Sequence, residues 1–514
     1  MLALVAVAAA GALLLSGGSG ADPRTPAALP GEPAPFLGTA IVGDGGLTAA
    51  IDGYGDVVEL RVPGPAGRAL IDSPAARQAA GTVPADTGIV PWVSVGGRRA
   101  RPLWTADSVE QRYRSRTNVV VTTARFGGTR ARVVYAADGS RLACLTEDDP
   151  GARIELRSGE PMAEHRLRCD DSAARATIAT AEREARRWLL EARPLAATAP
   201  PWAEQMYERS LLVLHALADR RTGAVAAGAR DGWAYVWPRD AAAVSLAFSA
   251  AGYHREAEKT TRFLLGLGLE DAARFHGDGS PVAGRPAQGD AIGWVAAAAH
   301  ATGMIGGARE AAHILSGGQQ IPWRDRPDYW EQGPGDYLGN AIAANADLSD
   351  FTPPSWGVSS DTPLGKGLVR EAGDPRSGLD SSVAWAVRPF PTPRLYRAVR
   401  ATLHQLVGQA TRYGITPGEG WTGGEDPWSA PTAWTAWSLA ALAREETGRR
   451  RAVDRRLALR LITDLRRAAT PAGTFPERVD RRTGVPTSTT PLAWSHAFAI
   501  LTLRELWPAR TAST

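Results

Sequence analysis

An antiparallel β-sandwich followed by an (α/α)6 barrel is the architecture expected of this chain, and three observations lead to it. Its 514 residues exceed what one ordinary core accommodates, so two domains are expected. Between Phe36 and Cys169, short β-rich runs alternate with turns containing Gly, Pro and Asp. After Pro200 the chain turns Ala-rich, and a cluster of polar and aromatic residues is followed at once by an apolar helix, again and again, at a spacing of about 45 to 60 residues.

Taken in order, Met1 to Leu15 is an apolar run that ends in Ser16-Gly17-Gly18-Ser19-Gly20-Ala21. It is shorter than the roughly 20 residues that span a bilayer. Small residues at Ser19 and Ala21 fit a signal-peptidase site before Asp22. Residues 1–21 therefore read as a signal peptide or an N-terminal anchor. The expectation is an exported or cell-envelope protein whose one membrane tether, if it has any, is this segment. Residues 22–35 are rich in Pro, Ala and Gly and read as a linker. Residues 36–172 form the expected sandwich, with runs such as Val57-Val58-Glu59-Leu60-Arg61-Val62 and Asn118-Val119-Val120-Val121-Thr122-Thr123. Cys144 and Cys169 leave two readings open, one disulfide or two buried thiols. Residues 173–199 read as a helical connector with Arg and Glu on one face.

Residues 200–508 carry the barrel. Inner helices are expected to begin near Pro238, Asp290, Asp336, Asp380, Pro431 and Pro491. Amphipathic outer helices lie between them, at Trp202–Ala218, His254–Leu267, Pro393–Thr411 and Arg450–Ala469. Pro353, Pro354, Gly357 and Pro363 interrupt the stretch between Ala346 and Gly378, so a long loop is expected there. Each polar cluster precedes the start of an inner helix, which brings six clusters to one end of the barrel. Helix starts present unpaired N–H groups and a positive dipole end. Fourteen of the seventeen Trp lie in this half, many inside those clusters. A set of indoles beside helix starts suits the apolar faces of sugar rings.

Charge excludes one class of partner. The formal net charge is +4, Lys occurs only at 259 and 366, and the Arg residues are scattered among acids. A nucleic-acid binder concentrates its basic residues on one stripe. No metal-ligand spacing occurs, and no cofactor is expected.

Three clusters carry candidate chemistry. In Trp237-Pro238-Arg239-Asp240, Pro sits at the first helical position. The Arg–Asp pair is either a surface ion pair near the cap or a clamp in which the carboxylate accepts sugar hydroxyls and the guanidinium fixes it. In Asp328-Tyr329-Trp330-Glu331-Gln332, a Glu directly behind a Trp in a cleft can have its charged form disfavoured, as a proton donor requires; alone, the same stretch reads by default as a solvated loop. Asp328 either balances the charge around Glu331 or caps a turn. In Phe475-Pro476-Glu477-Arg478, Glu477 lies in a turn before the last inner helix, where an ion pair with Arg478 is the simpler reading. Gln288 and Asp290 line up with the second helix start. His496 reads as a satisfied buried histidine.

Together these residues resemble glycoside hydrolase family 15, which includes glucoamylases and glucodextranases. Gly228-Ala229-Arg230-Asp231-Gly232-Trp233 with Trp237-Pro238-Arg239-Asp240 resembles that family's substrate-clamp segment. Asp328-Tyr329-Trp330-Glu331 resembles its catalytic-acid motif, and Pro476-Glu477-Arg478 with Pro491-Leu492-Ala493-Trp494-Ser495-His496 its catalytic-base region. Gly423-Gly424-Glu425-Asp426-Pro427-Trp428 through Thr432 resembles the segment closing the fifth hairpin. The resemblance covers about Phe36 to Leu506, since bacterial members carry a β-sandwich before the barrel. It departs from the family at Arg478, where many members have Gln, and in a short stretch between the third and fourth inner helices.

The resemblance implies an exo-acting, inverting hydrolase of α-linked glucosides. Glu331 would be the general acid and Glu477 the general base, with their carboxyl groups about 6.5–9.5 Å apart to admit a water. Trp237, Arg239, Asp240, Asp328, Trp330, Trp428 and Trp494 would bind substrate, with no metal. α-1,4, α-1,6 and α,α-1,1 linkages all present the same terminal glucose, so linkage is not legible and a trehalose-type enzyme stays open. Two other readings stay open beside it: a non-catalytic glycan-binding protein, against which both glutamates speak, and a phosphorolytic enzyme, which would need no second carboxylate.

Overall fold

The computed structural model describes residues 38–72, 88–159, 164, 166–230, 232–345, 361–362 and 365–509. The apolar segment 1–21, the linker 22–35, Asp231 and residues 346–360 of the expected loop lie outside the described residues.

The N-terminal part is built of three sheets, antiparallel except for one short edge strand. Strands β1 (Ala40–Gly43), β2 (Thr48–Ile51), β3 (Val57–Val62) and β4 (Arg68–Asp72) form a meander. Strands β5 (Val90–Val95) and β6 (Arg101–Pro102) join a small sheet, and β7 (Ser108–Tyr113), β8 (Val120–Phe126), β9 (Thr129–Asp138) and β10 (Arg141–Asp148) a larger one. β11 (Ala152–Arg157) completes the small sheet beside β5. β12 (Leu167–Cys169) runs parallel to β10 at the edge of the larger sheet, where Cys144 and Cys169 are register partners and form a disulfide.

Strand β9 explains its own composition. Its Val133-Val134-Tyr135-Ala136-Ala137 run is buried on both faces, so alternation is lost there. Val133, Tyr135 and Ala137 pack with Ile51, Val57 and Leu60 of the meander. Val134 and Ala136 pack instead on Ala174 and Ile178 of helix α1 (Ser172–Leu190), whose first turn is capped by Asp171.

The helical part alternates outer and inner elements. In chain order they are α2 (Pro201–Leu217, outer), α3 (Pro238–Ala251, inner), α4 (His254–Leu265, outer), α5 (Ala291–Ala301, inner), α6 (Ala308–Leu315, outer) and α7 (Leu338–Ala343, inner). A 3-10 segment (Ser381–Ala386) takes the fourth inner place, followed by α8 (Tyr396–Gly408, outer), α9 (Ser429–Glu445, inner), α10 (Gly448–Ala468, outer) and α11 (Ala493–Leu506, inner). Among the described residues no helix is long and apolar enough to cross a membrane.

Inner and outer helices differ as their sequences require. α4 buries only Ala257, Thr260, Thr261 and Leu264, one narrow stripe. α5 buries every residue from Ala291 to Ala299. Its small residues let neighbours come close: a Cβ on Gly293 would stand 1.9 Å from the Ala343 carbonyl oxygen. At the centre, Trp294 meets Trp385, Phe390 and Phe498 edge-on, with ring centroids 5.3, 5.3 and 5.8 Å away. The fourth inner segment is short for a local reason. Asp380 caps its start through the Ser382 N–H at 2.8 Å. Pro389, Pro391 and Pro393 follow at once, and a residue before Pro is driven out of the α region.

The sandwich braces the barrel. Asn118 Nδ2 donates to the Leu212 carbonyl at 2.9 Å, and Arg209 donates to Asn118 Oδ1 and the Thr117 carbonyl at 3.1 and 2.8 Å. At the very start of the described chain, the Thr474 hydroxyl donates to the Thr39 carbonyl at 3.0 Å, and the Thr39 hydroxyl donates to the Thr490 carbonyl. Both ends of segment 474–490 are thus tied to the first domain, and that segment carries Glu477.

Candidate active site

The polar clusters meet at one end of the barrel around a pocket of about 210 Å³. Trp237, Arg239, Asp240, Trp330, Glu331, Trp428, Glu477 and Trp494 all line it, together with Trp233, Arg285, Tyr329, Trp421 and Arg478. Asp328 is not among the lining residues; it lies behind Trp330.

The clamp begins at helix α3. Trp237 is its N-cap residue and Pro238 its first residue, which sets Arg239 and Asp240 in the first turn, both buried. Arg239 donates to Asp290 Oδ2 at 3.0 Å, to Asp240 Oδ2 at 3.3 Å and to Gln288 Oε1 at 2.7 Å. Its guanidinium lies over the Trp494 ring, 4.6 Å from the centroid. One buried cation thus faces two buried carboxylates. Burial pushes the Asp240 carboxyl up to about 7, against the pull of Arg239, with Asp290 and Glu477 adding to the rise. Burial raises Asp290 as well, again opposed by Arg239.

Glu331 sits on a tight turn. Its backbone φ is +57°, a left-handed conformation that non-glycine residues adopt at a cost. The turn is held from behind. Asp328 accepts the Trp330 N–H at 3.0 Å, and Arg370 grips both of its carboxylate oxygens at 2.8 Å. Arg370 also stacks on Trp330 and Tyr337, 3.8 and 4.2 Å from the ring centroids. Asp328 therefore both caps the turn and answers a cation, and it sets Trp330 and Glu331 in place. On the Glu331 carboxylate, Oε1 accepts from Trp237 Nε1 at 3.0 Å and from Gln288 Nε2 at 2.8 Å, while Oε2 is paired with Arg285. Gln288 is fixed at both ends, its carbonyl taken by Arg239 and its amide by Glu331, so Arg239 and Glu331 share one network.

Glu477 lies across the pocket. Its N–H donates to the Thr489 carbonyl at 2.9 Å, and its own carbonyl accepts from Ser429 N at 3.0 Å, the first residue of helix α9. The Ser488 hydroxyl donates to Glu477 Oε2, and the Arg478 guanidinium stands 3.8 Å from the same oxygen. Behind it, the Phe475 N–H donates to His496 Nε2 at 3.0 Å, so the ring proton sits on Nδ1 and donates to Ser210 Oγ at 3.0 Å. Burial, helped by Arg209, holds His496 well below its usual range, and it is neutral. It supports the turn and takes no part in proton transfer.

The walls are aromatic. Trp421 meets Trp330 and Trp428 edge-on at 5.3 and 5.1 Å. The indole N–H groups of Trp330, Trp421, Trp428 and Trp494 are buried and have no partner among the described residues. Arg285 and Trp421 do not stand out in the sequence; Trp233 belongs to the segment that resembles the substrate clamp. Trp421 carried a usable signal, an aromatic in a polar cluster before α9; Arg285 carried none, being one Arg among many.

A family model described as Glycosyl hydrolases family 15 matches residues 201–268. Among solved structures, the chain is similar to a bacterial glucoamylase complexed with acarbose, at 12% sequence identity and a TM-score of 0.66, over 94% of this chain and 96% of that one. It aligns also with a wild-type glycosidase (20% identity, 59% of this chain and 96% of that one, TM-score 0.47). A third alignment is with a glucoamylase from Saccharomycopsis fibuligera (14% identity, 61% and 97%, TM-score 0.47). No curated protein matches it. The bacterial structure establishes the fold, sandwich and helical barrel together. The chain is a glycoside hydrolase. Within that class it is glucoamylase-like in fold, and its residues 201–268 match the family 15 model.

Proposed function

We propose that the chain removes single glucose units from the non-reducing ends of α-glucans or short α-gluco-oligosaccharides, by one displacement that inverts the anomeric centre. The observation that carries this reading is the placement of Glu331 and Glu477, from segments far apart in sequence, on one small pocket beside the Arg239–Asp240 pair. Glu331 gives its proton to the departing glycosidic oxygen as the bond to the anomeric carbon breaks. Glu477 takes a proton from the water that attacks that carbon from the opposite face. Asp240, with Arg239 beside it, accepts hydroxyls of the terminal sugar, and the indoles lining the pocket offer apolar surface to its ring. A pocket that holds one ring against such a clamp suits attack from a chain end.

Incubation with maltose, isomaltose, trehalose and a longer dextrin, followed by chromatography, tests the substrate class and the exo action. Glucose is expected as the only early product from dextrin, which shortens one unit at a time. Early intermediate oligosaccharides would contradict the exo reading. Binding without any release would favour a glycan-binding protein.

A further inference from the structure

We propose that Arg285 is a positioning residue that keeps Glu331 ionised in the empty pocket and swings away when the acceptor sugar arrives, so that the acid is armed only in the complex. The inference rests on the reading of Glu331 as proton donor. It follows from which oxygen can carry the proton. Oε1 of Glu331 accepts two N–H groups, from Trp237 and Gln288. Neither donor is free to leave: Gln288 is locked to Arg239, and Trp237 is the buried N-cap of α3. The proton destined for the glycosidic oxygen must therefore sit on Oε2, and Arg285 occupies Oε2. A guanidinium donating to Oε2 favours the charged carboxylate and works against a proton on that oxygen, so the acid is armed when this contact opens.

Arg285 is built to open it. Its side chain is 44% exposed, and its guanidinium has no hydrogen-bond partner among the described residues other than Glu331. Its carbonyl is held by the Ala273 N–H at 3.1 Å, so the stem moves while the backbone stays. The leaving oxygen must come to Oε2, which places the acceptor sugar where the guanidinium now lies. The displaced Arg285 is then next to the acceptor hydroxyls, in a position to select among them. The other charges facing Glu331 are fixed. Asp328 is gripped by Arg370; Arg239 is shared among Asp240, Asp290 and Gln288; Arg478 stands beside Glu477; and Arg274 donates to the Gly232 carbonyl.

The test is the pH dependence of kcat/KM and of kcat for the wild type, Arg285→Met and Arg285→Lys, on a disaccharide found to be cleaved. kcat/KM reports the acid of the free enzyme and kcat that of the complex. In Arg285→Met the alkaline limb of kcat/KM is expected to move up by about one pH unit, a roughly tenfold gain on that side of the optimum. The alkaline limb of kcat is expected to stay in place, and Arg285→Lys to return kcat/KM toward the wild type. An alkaline limb of kcat/KM that does not move, or two limbs that move together, would overturn the latch. Failure of the underlying reading looks different: Glu331→Gln would then retain the wild-type rate whatever Arg285 does.

Discussion

Glu331→Gln and Glu477→Gln each lower kcat by about 10²–10⁴-fold, the usual contribution of a positioned acid or base, and leave the fold intact by circular dichroism. The two losses are expected to differ in kind. α-Glucosyl fluoride has a leaving group that needs little protonation, so Glu331→Gln regains most of its rate on that substrate. Glu477→Gln does not, because the attacking water still lacks a base. The asymmetry follows from the proposed division of roles, in which the acid serves the leaving group and the base the attacking water, and the two carboxylates are held differently. Glu331 is tied on its pocket side to Trp237, Gln288 and Arg285, whereas Glu477 is held by the Thr489 and Ser429 backbone and by Ser488. Equal rescue of both variants would show that the roles are not divided in this way.

Arg239→Met is expected to be the most damaging change to stability in the site. It strips the one cation from a buried Asp240–Asp290 pair, and breaking such a pair costs about 3–5 kcal/mol. The cost depends on pH with a definite sign. Burial holds Asp240 at about 7 and raises Asp290 even with Arg239 present. Without it both rise further. A carboxyl whose folded pKa is raised opposes folding only when it is forced to ionise. Each contribution is therefore absent below about pH 4, the unfolded value, and grows as pH climbs toward the folded one. For Asp240, wild type and variant bear this burden alike between about pH 4 and 7; above that only the variant's keeps growing. Thermal unfolding should thus separate the two proteins more at pH 8 than at pH 5. A gap that is constant or wider at pH 5 would mean that the lost term is packing and not charge.

What could be read in the sequence was local. Trp237-Pro238-Arg239-Asp240 announces a helix start and a clamp within four residues, because Pro fixes the first helical position and the next two side chains follow from it. The inner helices declare themselves by apolar runs after polar clusters, and the strands by short β-branched runs between turns. What could not be read depends on pairing across distance. Arg285 and Gln288 reach Glu331 from over forty positions away. Arg370 finds Asp328 from a stretch in which only Pro and Gly stood out. Thr39, at the head of the sandwich, braces both ends of the segment bearing Glu477 from more than four hundred positions away. The fourth inner segment kept its place in the repeat but wound as a 3-10 helix, because three prolines follow it too closely for an α-helix to extend.

Single displacement between Glu331 and Glu477 is tested by proton NMR of the first sugar released by the wild type from a cleaved disaccharide, recorded before mutarotation. Initial β-glucose, later relaxing to the equilibrium mixture, is the predicted result. Initial α-glucose would contradict it, since retention requires a second displacement and a nucleophile that this account does not contain.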